Sequence, residues 1–173
     1  MWLIDALVLL TPAQYDYLVE EEGLGRFPWR RVTRATIPNG IRLGPPPDAA
    51  ARDRARDLLG LTPGDLAVGV VAALRAEKDH DLFLRACARL VREHEGLRPV
   101  LVGSGAREGE LRALAGSLGL ADQLVLTGFR DDVADLLPGL DVKCLTSVQE
   151  TYPVSVLEAM AAARPVVMTA PEG

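Results

Sequence analysis

Ala67-Val68-Gly69-Val70-Val71-Ala72-Ala73 is a short apolar run that leads into the polar segment Leu74-Arg75-Ala76-Glu77-Lys78-Asp79-His80. An amphipathic pattern from Leu82 to His94 comes next. A second apolar run then follows, Pro99-Val100-Leu101-Val102, closed by Gly103-Ser104-Gly105. A brief unbroken apolar run reads as a strand buried on both faces, and a helical crossover between two such strands makes them parallel. The unit recurs downstream. Apolar runs lie at Gln123 to Thr127, Val142 to Leu145 and Pro165 to Thr169, with helical patterns at Glu108 to Leu118, Val133 to Leu137 and Val154 to Ala163. The expected fold is α/β, a doubly wound parallel sheet.

Upstream the pattern is less regular. Ala6 to Leu10 reads as a buried strand, and Thr11-Pro12 supplies an N-cap and a first-turn proline for a helix to about Glu22. Gly23 to Gly25 breaks it, and Val32 to Ile37 is a second strand stopped by Pro38-Asn39-Gly40. Pro45-Pro46-Pro47 has no backbone donors and a fixed φ, which suits a stiff interdomain linker. Asp48 then caps a helix that runs to Leu59 and ends at Gly60. The chain is expected to divide into 1–44 and 45–173.

A length of 173 residues allows one domain, or one domain and a piece of another. The net charge of −5 argues against electrostatic binding of nucleic acid, and with 5% aromatics a base-stacking platform is not expected either. Lys78 and Lys143 are the only lysines among the 19 basic residues. Cys87 and Cys144 sit in apolar segments and read as buried thiols of a reducing compartment. Two cysteines and the scattered His80 and His94 cannot assemble a metal-ligand cluster, so no metal is expected. The N-terminus has no basic region with a cleavage site, and Ala6 to Leu10 is too short to cross a bilayer. A soluble, cytoplasmic chain is expected. Arg26, Arg30, Arg31 and Arg34, with Phe27 and Trp29 among them, read as a solvated strand edge. Peripheral contact with anionic lipid at the inner membrane face is the alternative.

In an open parallel sheet, ligands bind beyond the carboxyl ends of the strands. Gly103-Ser104-Gly105 follows a strand, but the dinucleotide fingerprint wants a third glycine where Glu108 stands, and a carboxylate there would repel a pyrophosphate. No Gly-Lys-Ser/Thr phosphate loop is present. The informative stretch is Gln149-Glu150-Thr151-Tyr152-Pro153-Val154-Ser155-Val156-Leu157-Glu158. Pro153 suits a first helical residue. The free amides of Val154 to Val156 would then point out of a helix N-terminus, which attracts phosphate. From the residues alone, Glu150 is equally a helix-dipole carboxylate and Glu158 equally part of a solvated face.

Glu150 and Glu158, separated by seven residues and followed by Ala159-Met160-Ala161 and Pro165-Val166-Val167, resemble the Glu-x7-Glu donor-site motif of retaining GT-B glycosyltransferases. The match is to the large family 4 (group 1) of nucleotide-sugar-dependent enzymes. Four further ordered segments resemble that family: Ile37 to Ile41, Val71 to Lys78, Leu101 to Gly105 and Val125 to Phe129. The resemblance implies a Rossmann-like donor-binding domain over residues 45–173, C-terminally truncated. Residues 1–44 would be a remnant of the N-terminal acceptor-side domain, the rest of which would be missing.

Carried over residue by residue, Glu158 would hold the ribose hydroxyls of the donor and Glu150 the hydroxyls of the transferred sugar. Lys78 would neutralise the diphosphate with the amides of Val154 and Ser155, next to Pro153. Backbone around Phe129 and Arg130 would face the base, and Gly103 and Gly105 would border the donor. The implied function is transfer of a hexose from a nucleotide sugar to a sugar or lipid-linked acceptor with retention of configuration, as in polysaccharide biosynthesis, without metal or cofactor. The chain alone would be inactive. Ala73 stands where many members have a phosphate-binding arginine, and Arg75 is the candidate replacement. The alternative is a non-catalytic sugar-nucleotide-binding or partner-binding module of the same fold.

Overall fold

The computed structural model describes residues 6–20 and 33–170. The first part is a two-stranded parallel pair, β1 (Ala6–Leu9) and β2 (Thr33–Thr36), connected through α1 (Pro12–Glu20). Thr11 Oγ1 accepts from the Gln14 N–H at 3.2 Å, so this helix starts at the expected cap. Arg34 is in β2, with its guanidinium 4.3 Å from the centre of the Tyr15 ring. The remainder of the basic cluster, Arg26 to Arg31, lies outside the described residues, as does the end of the last loop, Pro171 to Gly173.

The rest is an α/β doubly wound unit, as the alternation of runs and helices predicts. It contains α2 (Ala49–Leu58), β3 (Leu66–Val71), α3 (His80–Leu90), β4 (Leu97–Val102), α4 (Glu108–Ser117), β5 (Val125–Leu126), α5 (Val133–Leu136), β6 (Val142–Leu145), α6 (Val154–Ala161) and β7 (Val166–Met168). The five strands are all parallel, in the order β5-β4-β3-β6-β7. The chain therefore builds outward from β3 on one side, then returns to pair β6 with β3 and builds out on the other. Between β3 and β6 the strand order reverses.

Two layers of side chains close the faces. Phe83, Leu84 and Cys87 of α3 and Leu111 and Ala115 of α4 pack against Val68, Val70 and Leu101 on one face. Leu136, Leu137, Ala159 and Ala162 pack against Ala67, Val100 and Val102 on the other. Burial pushes the Cys87 thiol up to about 12, which makes it an inert core group, and Cys144 is raised for the same reason. Asp48 caps α2 as expected, its carboxylate accepting from Ala51 N–H at 2.7 Å. The α3 helix is shorter than its amphipathic pattern: it begins two residues earlier, at His80, and gives way to turns after Leu90. Its cap is Asp79, at φ 42°, whose carboxylate accepts from Leu82 N–H. No described helix is long and apolar enough to cross a membrane.

At the amino-terminal end of the sheet, buried Arg56 is held by four acceptors. These are the carbonyls of Thr62 (2.6 Å), Asp65 (2.7 Å) and Gly139 (3.3 Å), and the Asp141 carboxylate (3.3 Å). Asp141 also accepts from Arg52 at 2.5 Å and from the Ala67 N–H at 2.8 Å. Burial would raise the Asp141 carboxyl, but the Arg52 and Ala67 hydrogen bonds and the two arginine charges hold it below the usual carboxylate range. Its contribution to stability is therefore present above about pH 4 and lost as the pH falls further. Asp141→Asn leaves Arg56 buried without a counter-charge, and is expected to cost about 3 kcal/mol in urea unfolding at neutral pH.

His80 is wholly buried, and neither ring nitrogen has a partner among the described residues. Burial, helped by the charge of Arg107, holds its imidazole below the ordinary value, so it is neutral in the folded protein. The unfolded imidazole takes up its proton near pH 6.5, so stability falls as the pH drops below about 6.5. Urea unfolding at pH 7.5 and 5.5 should show this loss, and His80→Leu should reduce it.

Candidate functional site

At the carboxyl ends of β3 and β6, where strand order reverses, a cavity of about 310 Å³ opens. It is lined by Val71 and Ala72 from β3 and its exit, Leu145 from β6, Lys78 and Glu150 from the two following loops, and Tyr152 to Ser155 at the start of α6. The strands end side by side, and the loops that leave them, with the start of α6, wall the crevice.

The loops are tied to each other rather than left free. Residues Ala76–Lys78 form a single 3-10 turn that presents the Lys78 side chain. The Val148 N–H donates to the Glu77 carbonyl at 2.9 Å, and Thr146 Oγ1 donates to the Lys78 carbonyl at 3.0 Å. Glu150 Oε1 accepts from Lys78 Nζ at 2.5 Å and from Ser147 Oγ at 2.7 Å. The buried Ser147 accepts in turn, through its carbonyl, from Thr169 Oγ1 beyond β7 at 2.7 Å. Three strand ends thus hold one ion pair in place. Asn39 reaches the same loop from the N-terminal segment, its Nδ2 donating to the Tyr152 carbonyl at 3.1 Å.

The α6 N-terminus borders the cavity. Pro153 is its N-cap rather than its first residue, and the Val156 N–H donates back to the Pro153 carbonyl at 3.1 Å. This corrects the expectation of three free amides: Val154 and Ser155 remain, and Val156 does not. Among the described helices of eight residues or more, α6 alone has neither a side-chain cap nor a first-turn carboxylate. Its partial positive charge is uncompensated within the chain. By contrast α4 carries Glu108 and Glu110 in its first turn, so the helix after Gly103-Ser104-Gly105 already has its own anions.

Gly103 and Gly105 do not line the cavity. A Cβ on Gly103, which sits at φ 146°, would lie 2.0 Å from the Ala72 carbonyl oxygen, and one on Gly105 would lie 2.5 Å from that of Leu74. They let the loop after β4 cross directly over the loop after β3, where Ser104 O accepts from the Leu74 N–H at 3.0 Å. Arg75 is 72% exposed at its side chain and lies 3.9 Å from Glu77, away from the cavity wall. Phe129 stands out into solvent beyond β5, 76% exposed. Beside it Arg130 is held by two hydrogen bonds to Asp132, at 2.7 and 2.5 Å. Glu158 is half-buried on α6, with no side-chain hydrogen bond among the described residues. The structure therefore gathers Lys78, Glu150, Pro153, Val154 and Ser155 in one wall. Arg75, Gly103, Gly105, Phe129, Arg130 and Glu158 are not part of that wall. Tyr152, Val71, Ala72 and Leu145 join it; Tyr152, Val71 and Ala72 fall inside segments that resemble the family, but no side-chain chemistry of the four marks them as site residues.

A family profile described as "Glycosyl transferases group 1" matches residues 65–173, more than half of the chain. The chain belongs to this family. The D-inositol 3-phosphate glycosyltransferase of Actinosynnema mirum is 35% identical over 98% of this chain and 42% of its own length. The 2-deoxystreptamine glucosyltransferase of Streptomyces kanamyceticus is 31% identical over 92% of this chain and 41% of its own. The chain thus spans less than half the length of these curated relatives. Among solved structures, Anabaena Alr3699/HepE in complex with UDP-glucose superposes with a TM-score of 0.82 at 22% identity, over 98% of this chain and 46% of that one. WaaG, a glycosyltransferase of lipopolysaccharide biosynthesis, gives 0.81 at 23%, over 95% and 44%. At these identities the superpositions establish the fold.

Lys78→Met leaves the Glu150 carboxylate, with only 12% of its side chain exposed, facing Ser147 alone. Urea unfolding should register a loss of about 1–3 kcal/mol. Lys78→Arg, which keeps the charge, should lose less.

Proposed function

We propose that this chain carries the donor half of a retaining glycosyltransferase site that takes a nucleotide sugar, transfers its sugar to a sugar or lipid-linked acceptor, and needs no metal. The observation that carries the reading is the Lys78–Glu150 pair set against the uncapped α6 N-terminus in the crevice between β3 and β6. A departing nucleoside diphosphate gains negative charge as the sugar–oxygen bond breaks, and a fixed cation beside two free amides stabilises that charge without reorganisation. In this reading Lys78 and the amides of Val154 and Ser155 hold the diphosphate. Glu150, anchored by Ser147 and freed in part from Lys78 when the anion arrives, accepts hydrogen bonds from the sugar. Glu158, with no competing partner within the chain, takes the ribose hydroxyls. Phe129 and Arg130 flank the base on the exposed side of β5. The UDP-glucose bound in Alr3699/HepE, on the same fold, supports a nucleotide sugar as the ligand class.

Residues 1–44, with the β1–β2 pair, are in this reading the acceptor-side portion, joined to the donor domain through Pro45-Pro46-Pro47 and touching its site through Asn39. Transfer then requires more of the acceptor side than the chain contains, and the chain by itself binds donor without turnover.

Isothermal calorimetry with UDP-, GDP- and ADP-sugars tests this. One of the three should bind, and Glu158→Ala should weaken it about tenfold, the equivalent of one or two lost hydrogen bonds. Failure of all three to bind, or unchanged affinity in Glu158→Ala, contradicts the site assignment.

A further inference from the structure

Lys143 lies in the middle of β6, fully buried, and its ammonium has no hydrogen-bond partner among the described residues. A lysine in that condition calls for an explanation, since burial of an unpaired cation is strongly unfavourable. Its direction along the sheet supplies one. In the parallel ladder Lys143 sits between Gly69 of β3 and Val166 of β7, so its β3 neighbour adds no side chain on that face. Two residues further along the same face are Val71 and Leu145, and both line the cavity. Two strand residues rise about 6.6 Å, which is roughly the reach of a lysine's four-methylene stem.

The charged groups that act most on the ammonium are Glu150 and Lys78, which line the cavity, and Glu158 on α6, together with the adjoining Cys144. Asp141 lies two residues back, where it is already paired with Arg52 and Arg56. On the elements packed around it, β3 and β7 present Gly69 and Val166, while the second face of the sheet presents Leu136, Leu137, Leu140 and Ala159, none of them charged. Register, reach and these charges together direct the side chain toward the cavity end of the sheet.

We propose that Lys143 is a second cation of the donor pocket, a buried ammonium whose counter-charge is the diphosphate of the bound nucleotide. The proposal rests on the nucleotide-sugar reading of this crevice. It also accounts for both lysines of the chain converging on one site, and for a charge kept inside an apolar layer. Its consequence is a linkage to protons. Burial, opposed by Glu150 and Glu158, pushes Lys143 down to about 8 in the free protein, so near that pH the group is partly neutral. A bound dianion favours the charged form. Binding must then take up a proton and weaken as the pH rises above about 8.

The test is calorimetry of the full chain with UDP, GDP and ADP at about pH 8.5, in two buffers of different ionisation enthalpy, and across about pH 7.5 to 8.75, below the range in which uracil and guanine lose a ring proton. The terminal phosphate is fully ionised throughout, so it contributes no proton of its own. Wild type should take up a fraction of a proton on binding, and its affinity should fall with a slope approaching tenfold per pH unit above pH 8. Lys143→Met should show neither effect and bind more weakly at pH 7.5, while the affinity for the corresponding nucleoside, which has no phosphate, stays the same. Because Met replaces an unpaired buried charge with an apolar chain of similar length, the variant should be at least as stable. A diphosphate that binds wild type with no proton uptake and no dependence on pH overturns the role of Lys143 and leaves the donor site standing. So does equal affinity in Lys143→Met. Absence of binding by all three diphosphates overturns both.

Discussion

Pairing of Val68, Gly69 and Val70 with Val142, Lys143 and Cys144 is the constraint on which the rest of the molecule depends. It joins two halves of a sheet that grow in opposite directions, β4 and β5 on one side and β7 on the other. Each half covers its faces with the helices between its strands, so both layers of the core form only when the central pair is in register. The same pairing brings the loops after β3 and β6 to one place, where Thr146 and Val148 bond to the Lys78 and Glu77 carbonyls. Crevice and core are thus consequences of a single strand choice.

The two ends of that pair are treated differently. At the amino-terminal end Arg56 is fully answered: three carbonyls and Asp141 accept its hydrogen bonds, and Asp141 is itself shared with Arg52 and the Ala67 amide. At the carboxyl end the satisfaction is incomplete. The amides of Val154 and Ser155 and the ammonium of Lys143 have no partner among the described residues. Satisfied polar networks hold a fold together, while groups left wanting at one end of a sheet are where a ligand gains most by arriving. Ser147, Thr146 and Thr169 stitch the loops around the Lys78–Glu150 pair into one frame.

Glycine carries a different part of the design from the one its spacing suggests. Gly103 and Gly105 look from the sequence like a phosphate loop with one member missing. Their backbone instead clears the Ala72 and Leu74 carbonyls and lets successive loops cross. The phosphate-like environment is found at α6, where proline rather than glycine precedes the helix and no side chain caps it. Glu108, which argued against a dinucleotide in that loop, sits in the first turn of α4 and bonds to Arg112 at 3.0 Å.

By itself the sequence determined what is local. Apolar runs and amphipathic stretches specify strands and helices because burial depends on the period of neighbouring side chains. Caps such as Asp48 and Thr11 act over three residues, and the ordered segments around Glu150 and Glu158 were enough to point to the family. Tertiary structure alone decided the strand order, the meeting of Lys78 with Glu150 across 72 residues, the capping role of Pro153 and the burial of Lys143. Each depends on which strand lies beside β3. That choice is made by closing two hydrophobic layers over the whole domain, and no window of sequence contains both sides of it.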